Sequence, residues 1–383
     1  MSAIQRLPDT QLLIKPQRLI EPQLLIKPQL LTDLQCNGLK WEGEVGLSRK
    51  GGAGPSDHKA LSLNGQTMMI PVLNLAAQDS PYTAKPETNS DKVIVFKNRI
   101  PIATLTAPAR PRFYDLKTAE GIAYEQIATL HSHDVLATTV LQHCIRMNDQ
   151  ATACQFCSID QSVKNGRTLI RKHPQQLAEV AKAAVELDGV KQMVITTGTP
   201  NKADRGAKIL YDSVKAIKAQ VDLPIQVQCE PPDDFAWFQR LKDAGAVSIG
   251  MHLEAVNESV RQKIMPGKAE VSLEKYFAAF EAAVAVFGRG QVSTYILAGL
   301  GDTELEIVEM SAKLTKIGVY PFVVPFVPIQ GTPLEHHPKP DPDFMQSLYP
   351  KIGQQLKQHG LHSENTQAGC AKCGACSSLK AYE

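Results

Sequence analysis

The sequence predicts an α/β protein whose main body is a run of strand–helix units, preceded by a small β-hairpin and followed by a cysteine-rich tail. Three observations predict it. Short apolar runs alternate with amphipathic stretches of helical period through the middle of the chain, which is the pattern of parallel βα units. At 383 residues the chain is long enough for two or three domains and a large core. Six of its 8 cysteines fall in two groups, Cys144, Cys154, Cys157 and Cys370, Cys373, Cys376, which in a chain poor in cysteine points to metal rather than disulfides.

Taken in order, residues 1–36 hold a hexapeptide repeated three times, Leu13–Gln17, Leu19–Gln23 and Leu25–Gln29, each copy with a proline. Proline at that frequency removes too many backbone donors for regular structure, so an extended or disordered arm is expected. Residues 37–90 are rich in Gly, Ser and Pro and read as a linker; the run Gly51-Gly52-Ala53-Gly54 does not precede Lys-Ser/Thr and is no phosphate loop. Residues 91–129 read as a small N-terminal element, with Val93–Phe96 and Ile100–Ile102 suggesting the hairpin.

From 130 to 335 the alternation is regular. Strands are expected at 135–142, 192–197, 225–229, 246–253, 291–297 and 322–327, and helices at 174–187, 206–219, 235–244, 255–263, 272–287 and 304–317. Six strands fall short of an eight-unit barrel, and the chemistry of such an array belongs at the carboxyl ends of its strands. Residues 336–383 complete the chain with a helix and the second cysteine group.

Composition excludes some classes. Lys and Arg number 41 against 39 Asp and Glu, giving a net charge of +2, without the basic excess of a nucleic-acid binder. No window reaches the length of a membrane span and the first residues lack a secretory signal pattern, so a cytoplasmic protein is expected.

Cys144 follows the first strand, and Cys154 and Cys157 lie on the loop before the next helix. Three thiolates there suit a 4Fe-4S cluster with one iron left open, while a structural zinc site with a fourth ligand such as His143, or unrelated buried thiols, are the other readings of the spacing. The surrounding motifs resemble the radical SAM superfamily, and within it the biotin synthase-like branch. Cys154-Gln155-Phe156-Cys157 is similar to the second half of the family's cluster loop, with Phe156 where an aromatic residue meets the adenine of S-adenosylmethionine. The first half departs from the pattern: nine residues, Ile145 to Ala153, separate Cys144 from Cys154 where the family usually has three. Thr196-Thr197-Gly198-Thr199 resembles the motif that binds the methionine amino group. His252-Leu253-Glu254 resembles the motif whose acid meets the ribose. Ile296 to Thr303, with Gly299 and Gly301, resembles the segment beside the adenine, and Gly331-Thr332-Pro333-Leu334 the turn after the last strand.

The resemblance implies a partial (β/α)6 TIM-like radical SAM barrel, a 4Fe-4S cluster on Cys144, Cys154 and Cys157, and S-adenosyl-L-methionine bound by Phe156, Thr197, Gly198, Glu254, Lys268, Gly299 and Gly301. It implies reductive cleavage of that cofactor to a 5'-deoxyadenosyl radical that abstracts hydrogen from a small-molecule substrate. An external one-electron reductant such as flavodoxin or ferredoxin would be its partner. Arg261 and Lys275 are further candidates to meet the cofactor carboxylate, and Glu230 and Asp233 to meet an amine-bearing substrate. Cys229 alone stands where biotin synthases carry several strand cysteines, which disfavours sulfur insertion. Cys370, Cys373 and Cys376 read as an auxiliary iron–sulfur cluster or a zinc site, with His362, Cys36 or substrate as fourth ligand. The wide cysteine spacing and this tail look closest to the radical SAM family encoded beside a nitrilase in bacterial gene clusters, a nitrogen-metabolism context. A non-catalytic iron–sulfur or zinc carrier is the alternative.

Overall fold

The computed structural model describes residues 28–43 and 57–383; the repeat arm before Pro28 lies outside the described residues. The last proline of that repeat does not break structure. It opens the helix Pro28–Asn37, where a missing N–H costs nothing because the first-turn donors have no intrahelical acceptor. Leu31 and Leu34 on this helix are fully buried. Residues 28–36 are therefore a packed element and not a disordered arm.

The described parts of the stretch read as a linker, 37–43 and 57–90, also fold, while 44–56 lie outside the described residues. Strands β1 (Lys40–Trp41), β2 (His58–Leu63), β3 (Gln66–Pro71), β4 (Tyr82–Pro86), β5 (Lys92–Lys97) and β6 (Ile100–Thr106) form one sheet in the order β1-β4-β5-β6-β2-β3. Asn64 and Gly65, both with positive φ, join β2 to β3, and Asn98 and Arg99 join β5 to β6 in the same conformation. Two consecutive left-handed residues give the turn whose twist matches antiparallel strands. The β5–β6 pair is thus part of a six-stranded sheet and not a small isolated hairpin. Its core is Leu61, Met68, Ile70, Tyr82, Val93, Val95 and Leu105, closed by Leu31 and Leu34.

The second sheet has seven strands: β7 (Thr129–His131), β8 (Val135–Thr139), β9 (Gln192–Thr196), β10 (Ile225–Gln228), β11 (Ala246–Gly250), β12 (Val292–Ala298) and β13 (Val319–Pro325). They lie side by side in sequence order. Strands β8 to β13 are parallel, and β7 runs antiparallel along the β8 edge. Parallel neighbours need crossovers, supplied here by the helices Pro174–Asp188, Ala207–Lys218, Ala236–Asp243, Leu273–Phe287 and Glu304–Ile317, with Glu258–Ile264 in the β11–β12 connection. The last long crossover starts with a reciprocal cap between Thr303 and Glu306 and stops at left-handed Gly318. The strand interiors and the inner helix faces form one apolar core. The arrangement is a mixed α/β fold consistent with a radical SAM partial barrel.

The tail returns under this sheet. The helix Pro342–Gln358 lies on Glu304–Ile317 and on Pro28–Asn37, and the segment after it crosses the amino-terminal ends of the strands. There Gln192 Oε1 accepts from Gly369 N–H at 2.6 Å, Gln226 Oε1 from Cys370 N–H at 3.2 Å, and Ser248 donates to Ala368 O at 2.8 Å. Gly369 has φ +115, and a Cβ there would stand 2.2 Å from Gln226, so only glycine lets the tail lie this close.

Candidate functional site

A cavity of about 410 Å³ runs through the middle of the parallel sheet. Cys144, Cys154, Cys157, Phe156, Thr197, Gly198, Glu254 and Lys268 line its upper part, and Cys370 and Cys376 reach it from the tail. Cys373 does not line it but sits beside Ser132, whose hydroxyl bonds its thiol. Gly299 and Gly301 lie outside the lining, in left-handed backbone after β12; the Gly299 carbonyl faces His337 Nε2 at 2.9 Å.

The nine residues between Cys144 and Cys154 are folded back by a buried anchor. Arg146 reaches the carboxylate of Glu230 with both terminal nitrogens, the Nη2–Oε2 contact being 3.0 Å. Arg205 and Thr199 Oγ1 contact the same carboxylate, at 3.2 and 2.7 Å. Burial alone would raise the Glu230 pKa, but Lys268 and Arg146 hold it below the ordinary value. Glu230 is committed to this anchor and does not stand free for a substrate amine. Asp233 likewise pairs with Lys275, which takes Lys275 away from the cofactor.

Two glycines admit the loop. A Cβ on Gly198 would lie 2.1 Å from the His143 carbonyl oxygen, and one on Gly267 would lie 2.5 Å from that of Thr152. Gly267 N–H donates to Thr152 O at 3.1 Å, and Gln155 N–H donates to Ile264 O at 2.8 Å. Cys154 and Cys157 are thereby tied to the segment after β11. Gly198 seats the cysteine loop through the His143 backbone, a packing role that the motif resemblance did not contain.

Glu254 holds a non-glycine left-handed backbone, φ +65. Its N–H donates to Tyr295 O and its carbonyl accepts from Leu297 N–H, both at 2.8 Å, so β12 fixes the strained residue from two sides. Its Oε2 accepts from Lys268 Nζ at 2.8 Å, with Lys268 buried and Glu254 partly buried. Burial opposes the Lys268 charge, but Glu254, then Tyr276 and Glu230, raise its pKa above the ordinary lysine value. Arg261 is also buried, and it donates to the Leu253 and Val271 carbonyls over the Tyr276 ring. It is a structural residue. Beneath Glu254, His252 is held neutral: burial, with Lys268 nearby, lowers its pKa to about 3.

Phe156 joins an apolar cluster with Ile264, Leu300, Phe326 and Leu297 at the outer end of the cavity. A planar ring finds there two aromatic side chains, Phe156 and Phe326, and several aliphatic ones. Cys229 also lines the cavity, its thiol pushed up to about 12 by burial.

The donor chemistry tests whether a cluster fits. Burial raises the pKa of Cys154, which is a neutral thiol until a metal displaces its proton, while Cys157 is exposed. Among the described residues, no three His, Cys, Asp or Glu side chains stand close enough to share one metal ion. Thiolates on separate irons of a cube do not need to. Three thiols on one cavity, with Lys268 near Cys154 and Cys157, fit such a group.

With this geometry described, comparison with known proteins shows what the chain is similar to. Residues 151–314 match the model of the Radical SAM superfamily. Bacteriochlorophyllide c C-7(1)-hydroxylase of Chlorobaculum limnaeum is 24% identical over 329 residues, 81% of this chain and 80% of that protein. Lipoyl synthase of Ectopseudomonas mendocina is 26% identical over 230 residues, 55% of this chain and 63% of that protein. Among solved structures, methylornithine synthase superposes with a TM-score of 0.46 at 16% identity, covering 70% of this chain and 78% of that one. The superfamily is supported for this chain, and with it a 4Fe-4S cluster and S-adenosylmethionine as cofactors. The chain is an enzyme, of a reaction these relatives leave unspecified.

Sequence reasoning missed Arg146 and the row of polar strand residues Gln192, Gln226, Gln228 and Ser248. The signal for the second was present, since amides in otherwise apolar buried strands need partners.

Proposed function

We propose that the protein is a radical SAM enzyme in which Cys144, Cys154 and Cys157 hold the 4Fe-4S cluster and the cavity above holds S-adenosylmethionine. The observation that carries this reading is that the three thiols, Phe156 and the Glu254–Lys268 pair line one cavity. When bound, the cluster and cofactor supply a 5'-deoxyadenosyl radical able to take hydrogen from an unactivated C–H bond. The chain's residues orient and exclude water. Glu254, held by β12, offers a carboxylate to the ribose hydroxyls, and Phe156 offers its face to the adenine. Around the cavity three buried cations, Arg146, Arg205 and Lys268, face the buried carboxylate of Glu230 and the partly buried one of Glu254. The excess positive charge suits the cofactor carboxylate.

The motif order supports the biotin synthase-like branch, and the terminal cysteines support the family encoded beside a nitrilase, with a small nitrogen-containing metabolite as substrate. An external flavodoxin or ferredoxin would deliver the electron. Cys370, Cys373 and Cys376 hold a second metal centre, an auxiliary iron–sulfur cluster on this reading. Anaerobic reconstitution with iron and sulfide, then reduction with S-adenosylmethionine, should yield 5'-deoxyadenosine by mass spectrometry. Cys154→Ala should abolish it. A reconstituted protein that neither cleaves nor binds the cofactor would instead be a carrier.

A further inference from the structure

The second cysteine group has a neighbour that its spacing does not reveal. His131, the last residue of β7, is buried, lines the same cavity, and places Nε2 3.5 Å from Cys376 Sγ. The residue after it, Ser132, is in left-handed backbone at φ +60, and its hydroxyl bonds Cys373. The β7–β8 turn therefore meets the tail at two of its three cysteines. Cys36 and His362 line no part of the cavity.

The distance has a coordination meaning. Ligands about 2.0–2.1 Å (nitrogen) and about 2.3 Å (sulfur) from a tetrahedral metal stand roughly 3.5 Å from one another. Ligands on different irons of a cube stand much farther apart. We propose that His131 is the fourth ligand of the second centre, bound to the same metal ion as Cys376, with Cys370 and Cys373 completing a Cys3His set. Two ligands on each of two irons is the arrangement of a 2Fe-2S centre, in which imidazole is a known replacement for thiolate. Such a centre has no open position, so substrate does not ligate it and it acts on the cavity by its charge or as an electron relay.

This rests on the reading that the tail binds metal, and the two are separable. Replacing Cys144, Cys154 and Cys157 with Ala isolates the second centre, whose iron, zinc and sulfide are then measured. Protein labelled with ¹⁵N-histidine and reduced should show a directly bound histidine nitrogen by pulsed EPR, and His131→Ala should remove it. If zinc is bound there instead, X-ray absorption should show a histidine nitrogen beside sulfur in its shell, the nitrogen lost in the same variant. Metal present with no histidine nitrogen overturns the assignment of His131 and leaves the tail site standing. No metal in the isolated second centre overturns both. Because the labelled chain with native His131 reports the nitrogen directly, the assignment stays testable even where the His131→Ala chain fails to fold.

Discussion

A single methyl group added at position 198 would press into the His143 carbonyl, and neither backbone segment can yield, because Gly198 N–H is bonded to Leu141 O and Ile145 N–H to Thr199 O. Gly198→Ala should therefore cost about 1–3 kcal/mol, as overpacking does, and lower the iron bound by Cys144, Cys154 and Cys157; thermal unfolding and iron analysis check both. Glu254→Ala removes the proposed ribose ligand and leaves Lys268 buried without its partner. It should weaken S-adenosylmethionine binding by at least tenfold, about 1.4 kcal/mol, with iron content unchanged, read by calorimetry on the reconstituted protein. Glu230 gives a pH signature. Its folded pKa lies below the ordinary 4.5, so the stability it lends is complete above that value and is lost as pH falls through the lowered one. Glu230→Gln should flatten the acid limb of Tm against pH, and an unchanged limb would place the acid sensitivity elsewhere.

At the scale of elements, the βα alternation was legible because each parallel strand is buried on both faces and reads as a short apolar run, while its crossover helix keeps one polar face. The expected boundaries for β8 to β13 shift by a few residues only. The N-terminal sheet was not legible in that way. Beyond the β5–β6 hairpin that Val93–Phe96 and Ile100–Ile102 signalled, its strands show patterns such as the mixed burial of His58–Leu63, lie among Gly, Ser and Pro, and carry one further usable signal, Asn64-Gly65, which composition drowned. The site was half legible: the motif residues converge, but Arg146 and the tail's seat depend on side-chain bonds across long separations, such as Gln228 to Cys370 at 142 positions. Gln226→Leu tests that seat. It loses the acceptor for Cys370 N–H, and should reduce metal at the second centre, measured in the Cys144/Cys154/Cys157→Ala background, while iron at the first is kept, measured in the Cys370/Cys373/Cys376→Ala background.

Over the whole molecule, the two sheets are joined through the tail and directly by Thr67 Oγ1, which meets His133 Nδ1 at 3.1 Å. Met69 N–H and Gln35 Nε2 both donate to Ala375 O, at 2.7 and 3.0 Å, inside the second cysteine turn. Ser378 Oγ returns a bond to Gln35 Oε1 at 2.7 Å. Gln35→Ala leaves the buried Ser378 hydroxyl without its acceptor and should cost about 1–3 kcal/mol, with the larger effect on the second centre than on the first.

That clasp also sets an order in time. Gln35 and Ala375 are 340 positions apart, and a contact so distant pays its closure entropy late, after the local βα units have formed. The floor of the cavity is thus the last wall to be raised. With the tail unseated, the upper thiols would face a cavity open on the side that Cys370 and Cys376 now close.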